Sequence, residues 1–223
     1  MCGIVGYIGN KQVVPILLEG LHRLEYRGYD SAGIALVEGG ELCRVRMQGK
    51  VSSLTAQLAE RSFESTIGMG HTRWATHGKP SEINAHPHAN GDESIMVVHN
   101  GIIENYQILR EQLSTRGYRF SSETDTEVVA HLIQDEYTGD LTQAVKRALR
   151  KVTGTYGLVV MHADHPRELV AARRGSPMVL GVGDNEMLLA SDVAAFLRRT
   201  DKVVYLEDND IVTIRANEYA IDT

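Results

Sequence analysis

The hydrophobic positions of this chain change period along its length, and each period predicts a kind of element. Val14, Leu17, Leu18, Leu21 and Leu24 recur at helical spacing, which gathers them on one face. Ile34 and Leu36, then Leu42, Val45 and Met47, sit in short extended segments joined by the turn Glu38-Gly39-Gly40-Glu41; they predict a hairpin packed under the first helix. Ile95-Met96-Val97-Val98 is an unbroken apolar run, read as a strand that leads into His99-Asn100-Gly101. Helical spacing returns over 106–116, 126–137 and 141–152. Thr124 with Glu127, and Asp140 with Gln143, have the three-residue offset of a capping box at the start of the last two. The rest is nearly all strand, over 157–161, 168–172, 178–182, 187–190, 203–206, 211–214 and 219–221. Many strands with few helices between them imply an α+β protein of antiparallel sheets with helices on the outer faces, not a doubly wound parallel sheet.

Composition narrows the picture. A chain of 223 residues with 43% hydrophobic content has material for a substantial core, and no linker, repeat or low-complexity stretch divides it. The net charge of −6 and the lack of a long basic block argue against a nucleic-acid partner. Arg173-Arg174 and Arg198-Arg199 are isolated pairs, read as solvated surface. No apolar run approaches the length of a membrane span, and the N-terminus lacks a secretory pattern, so no membrane is expected. Two cysteines, Cys2 and Cys43, are too few for a disulfide framework and fit a reducing, cytoplasmic setting.

The candidate chemistry begins at Met1-Cys2-Gly3. Removal of Met1 makes Cys2 the N-terminal residue, with a nucleophilic thiol and an α-amine whose ordinary pKa is about 7.7–8.0, able to take the thiol proton directly or through a water. The plain alternative is that Cys2 simply begins a buried strand, Ile4-Val5-Gly6-Tyr7-Ile8. Polar residues cluster in the loops 26–33, 71–78, 99–101 and 123–126. Asn100-Gly101 has the composition of a hairpin turn, but an apolar strand precedes it and a helix follows. It is therefore read as a strand-to-helix corner, where the Asn side-chain amide and the Gly N–H can form a two-donor oxyanion hole. Arg73 offers a planar fork for a carboxylate, and Asp125, in a first helical turn, an anion for a cation; together they suit the ends of an α-amino acid. Nine histidines invite a metal reading, but the paired spacing of a metal site is missing, and His86-Pro87-His88 is an extended loop; no metal or other cofactor is expected.

These pieces, in this order, resemble the N-terminal-nucleophile (class II) glutamine amidotransferases. The resemblance rests on Cys2-Gly3-Ile4-Val5-Gly6, Arg27 to Gly33, His71 to Gly78, Asn84 to His88, His99-Asn100-Gly101 and Ser122 to Glu127, and extends through Arg174 to Pro177 and Ala190-Ser191-Asp192. It implies a four-layer αββα sandwich of the N-terminal nucleophile hydrolase type over residues 1–223. It also implies roles: Cys2 attacks the side-chain amide of L-glutamine to form a thioester, Asn100 and Gly101 make the oxyanion hole, and Arg27 orders the site. Arg73 and Asp125 would hold the substrate's carboxylate and ammonium, Thr76 and His77 would belong to a loop that closes over it, and Trp74 would gate the exit of ammonia. Trp74 to His77 and Asn100 to Asn105 point to the amino-sugar branch. There a further sugar-phosphate isomerase domain, dimeric in the full-length form, takes the ammonia and converts fructose 6-phosphate to glucosamine 6-phosphate. The chain ends at Thr223, before such a domain, and is expected to be the glutaminase part alone. Two rivals remain: the glutaminase part of another class II amidotransferase, and a non-catalytic glutamine-binding module, which would need neither Cys2 nor Asn100.

Overall fold

The protein is described by a computed structural model covering all residues but Met1, Tyr29 and 75–77. In chain order the elements are β1 (Gly3–Ile8), α1 (Val13–Leu24), β2 (Ser31–Glu38), β3 (Glu41–Gln48), α2 (Val51–Leu58), β4 (Ile67–Arg73), β5 (His88–Ala89), β6 (Ile95–Ile103), α3 (Tyr106–Thr115), α4 (Thr126–Glu136), α5 (Leu141–Leu149), β7 (Gly154–His162), β8 (Leu169–Arg174), β9 (Val179–Val182), β10 (Met187–Ala190), β11 (Val203–Tyr205), β12 (Ile211–Arg215) and β13 (Glu218–Asp222). Among the described residues these strands form a seven-stranded antiparallel sheet, β11-β9-β10-β1-β4-β2-β3, and a six-stranded one, β13-β12-β8-β7-β6-β5. The four-layer αββα sandwich follows from how each sheet divides its side chains. On β6, Ile95 and Val97 join the helix-side core with Val129, Ile133 and Val145, while Met96 and Val98 join Ile4, Met69 and Leu189 between the sheets. The two-residue alternation of a strand thus feeds two cores at once. A third core lies under α1 and α2, built from Leu17, Leu21, Leu54 and Leu58 against Tyr7 and Ile34. No described helix is long and apolar enough to cross a membrane.

Packing, not capping, holds α1. Gln12 at its start makes no side-chain cap bond, whereas Val13, Ile16, Leu17, Leu21 and Leu24 are all buried, each contributing about 1.5–3 kcal/mol against roughly 1 kcal/mol for a cap. Pro15 is tolerated because it lies in the first turn, where its missing N–H has no intrahelical partner to lose.

Several expectations are met and some are corrected. The hairpin closes at Glu38↔Glu41, and Asp140 accepts from the Gln143 N–H at 2.9 Å, as the spacing predicts. The helix α2 has no forecast, and it rather than α1 covers the hairpin, α1 lying mainly across β1 and β4. Glu127 does not close a capping box with Thr124. Its carboxylate turns back to accept from the N–H and hydroxyl groups of Ser121 and Ser122 at 2.6–2.9 Å, which tie down the loop entering α4. Nor is Asn100-Gly101 a corner. β6 continues through it to Ile103, paired with β7 from Ile95↔His162 to Ile103↔Gly154, because Gly101 takes φ +128°, closed to residues with a Cβ.

Close approach also fixes Gly33. A Cβ there would sit 2.2 Å from the His86 carbonyl oxygen and 2.9 Å from that of Val45, whereas at Gly39, φ +61°, a Cβ meets nothing within 4 Å. Gly33→Ala is therefore expected to destabilise by about 1–3 kcal/mol or more through backbone displacement, and Gly39→Ala by about 1–2 kcal/mol through its left-handed conformation alone. Urea midpoints of the two variants check the order; equal shifts would remove the packing argument.

Candidate functional site

One cavity of about 320 Å³ gathers most of the polar residues singled out in the sequence: Cys2, Arg27, Arg73, Trp74, Asn100, Gly101 and Asp125 all line it. Three strands and one helix start bring most of them together. Cys2 precedes β1, Arg73 ends β4, which pairs with β1 through Gly3↔Thr72, and Asn100-Gly101 lies in β6 of the other sheet. Asn100 shares the inward face of β6 with Met96 and Val98, so its side chain crosses from one sheet to the other. There its Nδ2 donates to the Cys2 carbonyl oxygen at 3.1 Å. A carboxamide nitrogen has two N–H groups, and this bond uses one of them. His99 Nε2 meets the Thr155 carbonyl at 3.2 Å and Nδ1 the Thr126 hydroxyl at 3.0 Å, which ties the same stretch of β6 to β7 and α4.

The thiol of Cys2 accepts from the Trp74 N–H at 3.2 Å and lies 3.5 Å from the Trp74 carbonyl oxygen. Burial pushes its pKa up, against the pull of the Trp74 N–H. The Trp74 side chain is 58% exposed, and Gly28, at φ +144°, lets it approach so closely that a Cβ on Gly28 would lie 2.7 Å from the Trp74 Cβ. Arg27 is buried away from the thiol's immediate contacts; its Nη1 donates to the Ser191 carbonyl at 3.1 Å and to Asp192 at 3.3 Å. Arg73 donates to the Gly78 carbonyl at 3.1 Å, and Asp125 accepts the Ile103 N–H at 2.8 Å; both side chains are buried and both face the cavity. Thr76 and His77 lie outside the described residues.

Sequence reasoning passed over several of the cavity's residues. His86, His99, Thr124, Thr126, Thr155, Ser176 and Pro177 also line the cavity. Thr124 and Thr126 lie in the polar cluster 123–126 but have no assigned role there, and no local signal marks Thr155, which reaches the site only through the pairing of β7 with β6. The histidines are visible as a cluster, but their purpose is not. Burial holds His71 and His88 down to about 3 and His86 well below its ordinary value, so all three are neutral near pH 7. One nitrogen of each ring is spent on local partners: His71 Nε2 on Asn100 and the His99 carbonyl, His86 Nδ1 on the His99 N–H, and His88 Nε2 on the Thr124 hydroxyl.

Comparison with known proteins adds the family context. The profile described as "Glutamine amidotransferase domain" matches residues 71–198. A glutamine–fructose-6-phosphate aminotransferase (isomerizing) of Thermus thermophilus is 52% identical over 214 residues, covering 96% of this chain and 35% of that protein. The enzyme of the same name from Haemophilus influenzae is 54% identical over 217 residues, with the same two shares. The chain thus spans about a third of the length of these curated relatives. Among solved structures, the B. subtilis glutamine phosphoribosylpyrophosphate amidotransferase superposes with a TM-score of 0.85 at 26% identity, over 99% of this chain and 49% of that one. A glutamine aminotransferase class-II domain protein from Silicibacter pomeroyi shares the fold at a TM-score of 0.63 and 20% identity, over 99% and 98% of the two chains.

The buried histidines make a pH prediction. An imidazole held below its ordinary pKa of about 6.5 binds its proton more readily in the unfolded chain, so stability is full above that value and falls as pH drops toward the folded pKa. For His88 the window runs from about 6.5 down to about 3. His88→Gln, which keeps a partner for Thr124 but does not titrate, is expected to flatten the fall by up to about 1.4 kcal/mol per pH unit in that window. Urea unfolding at a series of pH values reads this, and an unchanged slope would show that His88 is not held neutral.

Proposed function

The chain belongs to the glutamine amidotransferase family, and from that premise we propose that its cavity hydrolyses the side-chain amide of L-glutamine to glutamate and ammonia through a thioester on Cys2. The observation that carries the reading is that a half-buried thiol and a sheet-to-sheet carboxamide donor open into the same cavity as a buried arginine and a buried aspartate. In the mature chain, without Met1, the α-amine of Cys2 takes the thiol proton as sulfur attacks the amide carbon. The oxyanion that forms is met by the second N–H of Asn100 Nδ2 and by the N–H of Gly101, which strand alternation sets on the same edge as that of His99. The α-ammonium then protonates the departing ammonia, and the neutral amine activates the water that opens the thioester.

Arg73 pairs with the substrate carboxylate and Asp125 with its ammonium, the Ile103 N–H fixing one oxygen of Asp125 and leaving the other to accept. Arg27 braces the segment 191–192 at the cavity wall, Trp74 gates the exit of ammonia, and Thr76 and His77 belong to the loop that closes over bound glutamine. The names of the relatives at 52% and 54% identity support a place for this domain in a longer amino-sugar-forming enzyme. There a further domain takes the ammonia and fructose 6-phosphate and yields glucosamine 6-phosphate in the cytoplasm. Their identity weighs against the phosphoribosylpyrophosphate branch, which stands at 26%.

The test is glutamine hydrolysis by purified protein, read alongside its intact mass. Full activity in protein that retains Met1 would sink the α-amine mechanism. Cys2→Ala is expected to bind glutamine without turnover, while Cys43→Ala, at a half-buried position of β3 outside the cavity lining, stays active. Asn100→Ala should lower kcat by about a hundredfold to a thousandfold with little change in KM. Arg73→Ala and Asp125→Ala should each weaken glutamine by about 2–5 kcal/mol. A glutamine analogue without the α-amine should lose little more on Asp125→Ala, since that contact is already gone; full additivity would remove Asp125 from the amine site.

A further inference from the structure

Two buried imidazoles stand behind Asn100 with no part in the chemistry just described. His71, on β4, points inward on the same face as Met69 and meets β6 across the gap between the sheets. Its Nε2 lies 3.0 Å from Asn100 Oδ1 and 3.1 Å from the His99 carbonyl oxygen. Both partners are oxygen acceptors, so this nitrogen must carry the proton. The assignment of the Asn100 amide is fixed in the same way, since its other end faces the Cys2 carbonyl and must be the NH₂. His71 Nδ1 is then the bare nitrogen, and it is buried with no hydrogen-bond partner among the described residues.

The second ring completes a clamp. His86 stacks on His71 with centroids 4.0 Å apart and planes 13° from parallel, and its Nδ1 accepts the His99 N–H at 3.3 Å. β5 pairs with β6 only at His88↔Val97 and Ala89↔Met96. Two residues further along the same edge, where a longer β5 would have bonded His99, the two imidazoles take its N–H and C=O instead.

We propose that His71 is a positioning residue for the oxyanion hole, its Nε2–H holding the Asn100 carboxamide so that Nδ2 faces Cys2 and the cavity. This rests on the reading of Asn100 as an oxyanion donor. The donor is constant: burial keeps His71 neutral, and no partner at Nδ1 favours the other tautomer. Without it, two buried oxygens lose their partner and the carboxamide is free to rotate about its terminal torsion.

Steady-state glutamine hydrolysis by Met1-free wild-type protein, His71→Phe, His71→Gln, Asn100→Ala and the double variant His71→Phe/Asn100→Ala tests it. His71→Phe should lower kcat about tenfold to a hundredfold, as expected for a misplaced catalytic group, with KM within about twofold. His71→Gln, whose amide nitrogen reaches the place of the imidazole N–H, should recover kcat to within about threefold of wild type. The double variant should be no slower than Asn100→Ala alone, because the histidine acts through the asparagine. Should the phenylalanine variant fail to fold, His71→Asn replaces it, as its side chain ends at the position of Nδ1 and offers nothing at Nε2. Equal losses for Phe and Gln, or losses that multiply in the double variant, would overturn the proposal. A loss with Asn100→Ala but none with His71→Phe overturns this inference alone, whereas full activity in Asn100→Ala overturns the oxyanion-hole reading beneath it.

Discussion

The hydrogen bond from Asn100 Nδ2 to the Cys2 carbonyl is the point at which the two sheets become one site. Each sheet by itself could be assembled from its own ladders and its own helical cover. Cys2 and the proposed oxyanion donors Asn100 and Gly101, however, sit on different sheets, so their separation is set by how the inner faces interdigitate. That spacing depends on Ile4, Met69, Met96, Val98 and Leu189, all buried in one cluster around the bridge. A polar bond in such surroundings is held in place by packing, since neither partner can move without opening the core. The geometry of the candidate site is thereby tied to the hydrophobic one.

The parts legible in the sequence are those specified locally. The hairpin at 38–41 and the helix α5 follow from turn glycines, period and a cap acting within a few residues, and the structure keeps them. The strand β4 was hidden because its sequence, Ile67-Gly68-Met69-Gly70-His71-Thr72-Arg73, carries two glycines and three polar residues although every position is buried. Its glycines answer to neighbours far along the chain: a Cβ on Gly68 would meet the Ala35 carbonyl oxygen at 2.8 Å, and one on Gly70 the Leu21 Cδ1 at 2.9 Å. The same holds for Asn100-Gly101. Its dipeptide identity suggests a bend, but the pairing of β6 with β7 on both sides carries the strand through, and the glycine absorbs the distortion. The candidate site was legible as residue types, through the family pattern, while the contacts among them were not, because they join residues such as 2 and 100, or 71 and 99.

Glu127 illustrates a further limit. Its offset from Thr124 matches a helix-start motif, yet the carboxylate is taken by Ser121 and Ser122; burial raises its pKa, but the His131 ring beside it and these serine bonds together hold it well below the usual range. The helix start gives way to a stronger demand, since a buried carboxylate needs several donors and the loop before Asp125 supplies four. The loop that presents Asp125 to the cavity is in this way pinned by a charge that never reaches the cavity itself.

The distribution of charge completes the argument. The cavity carries formal charge at Arg27, Arg73 and Asp125, whereas the floor beneath Asn100 is built from imidazoles that burial keeps neutral. A cationic histidine behind Asn100 would sit near Arg73 in a low-dielectric interior, where like charges repel strongly, and the cost would be carried in the resting state. Neutral N–H dipoles avoid that cost. Stacked on each other and bonded to the His99 backbone, the rings hold the Asn100 carboxamide in place, so in the proposed mechanism a negative charge that develops at the amide oxygen meets the Asn100 and Gly101 donors with little reorganisation. In the proposed mechanism the histidine cluster is thus the means by which a site built from two sheets fixes its amide donors with neutral dipoles rather than with a buried countercharge.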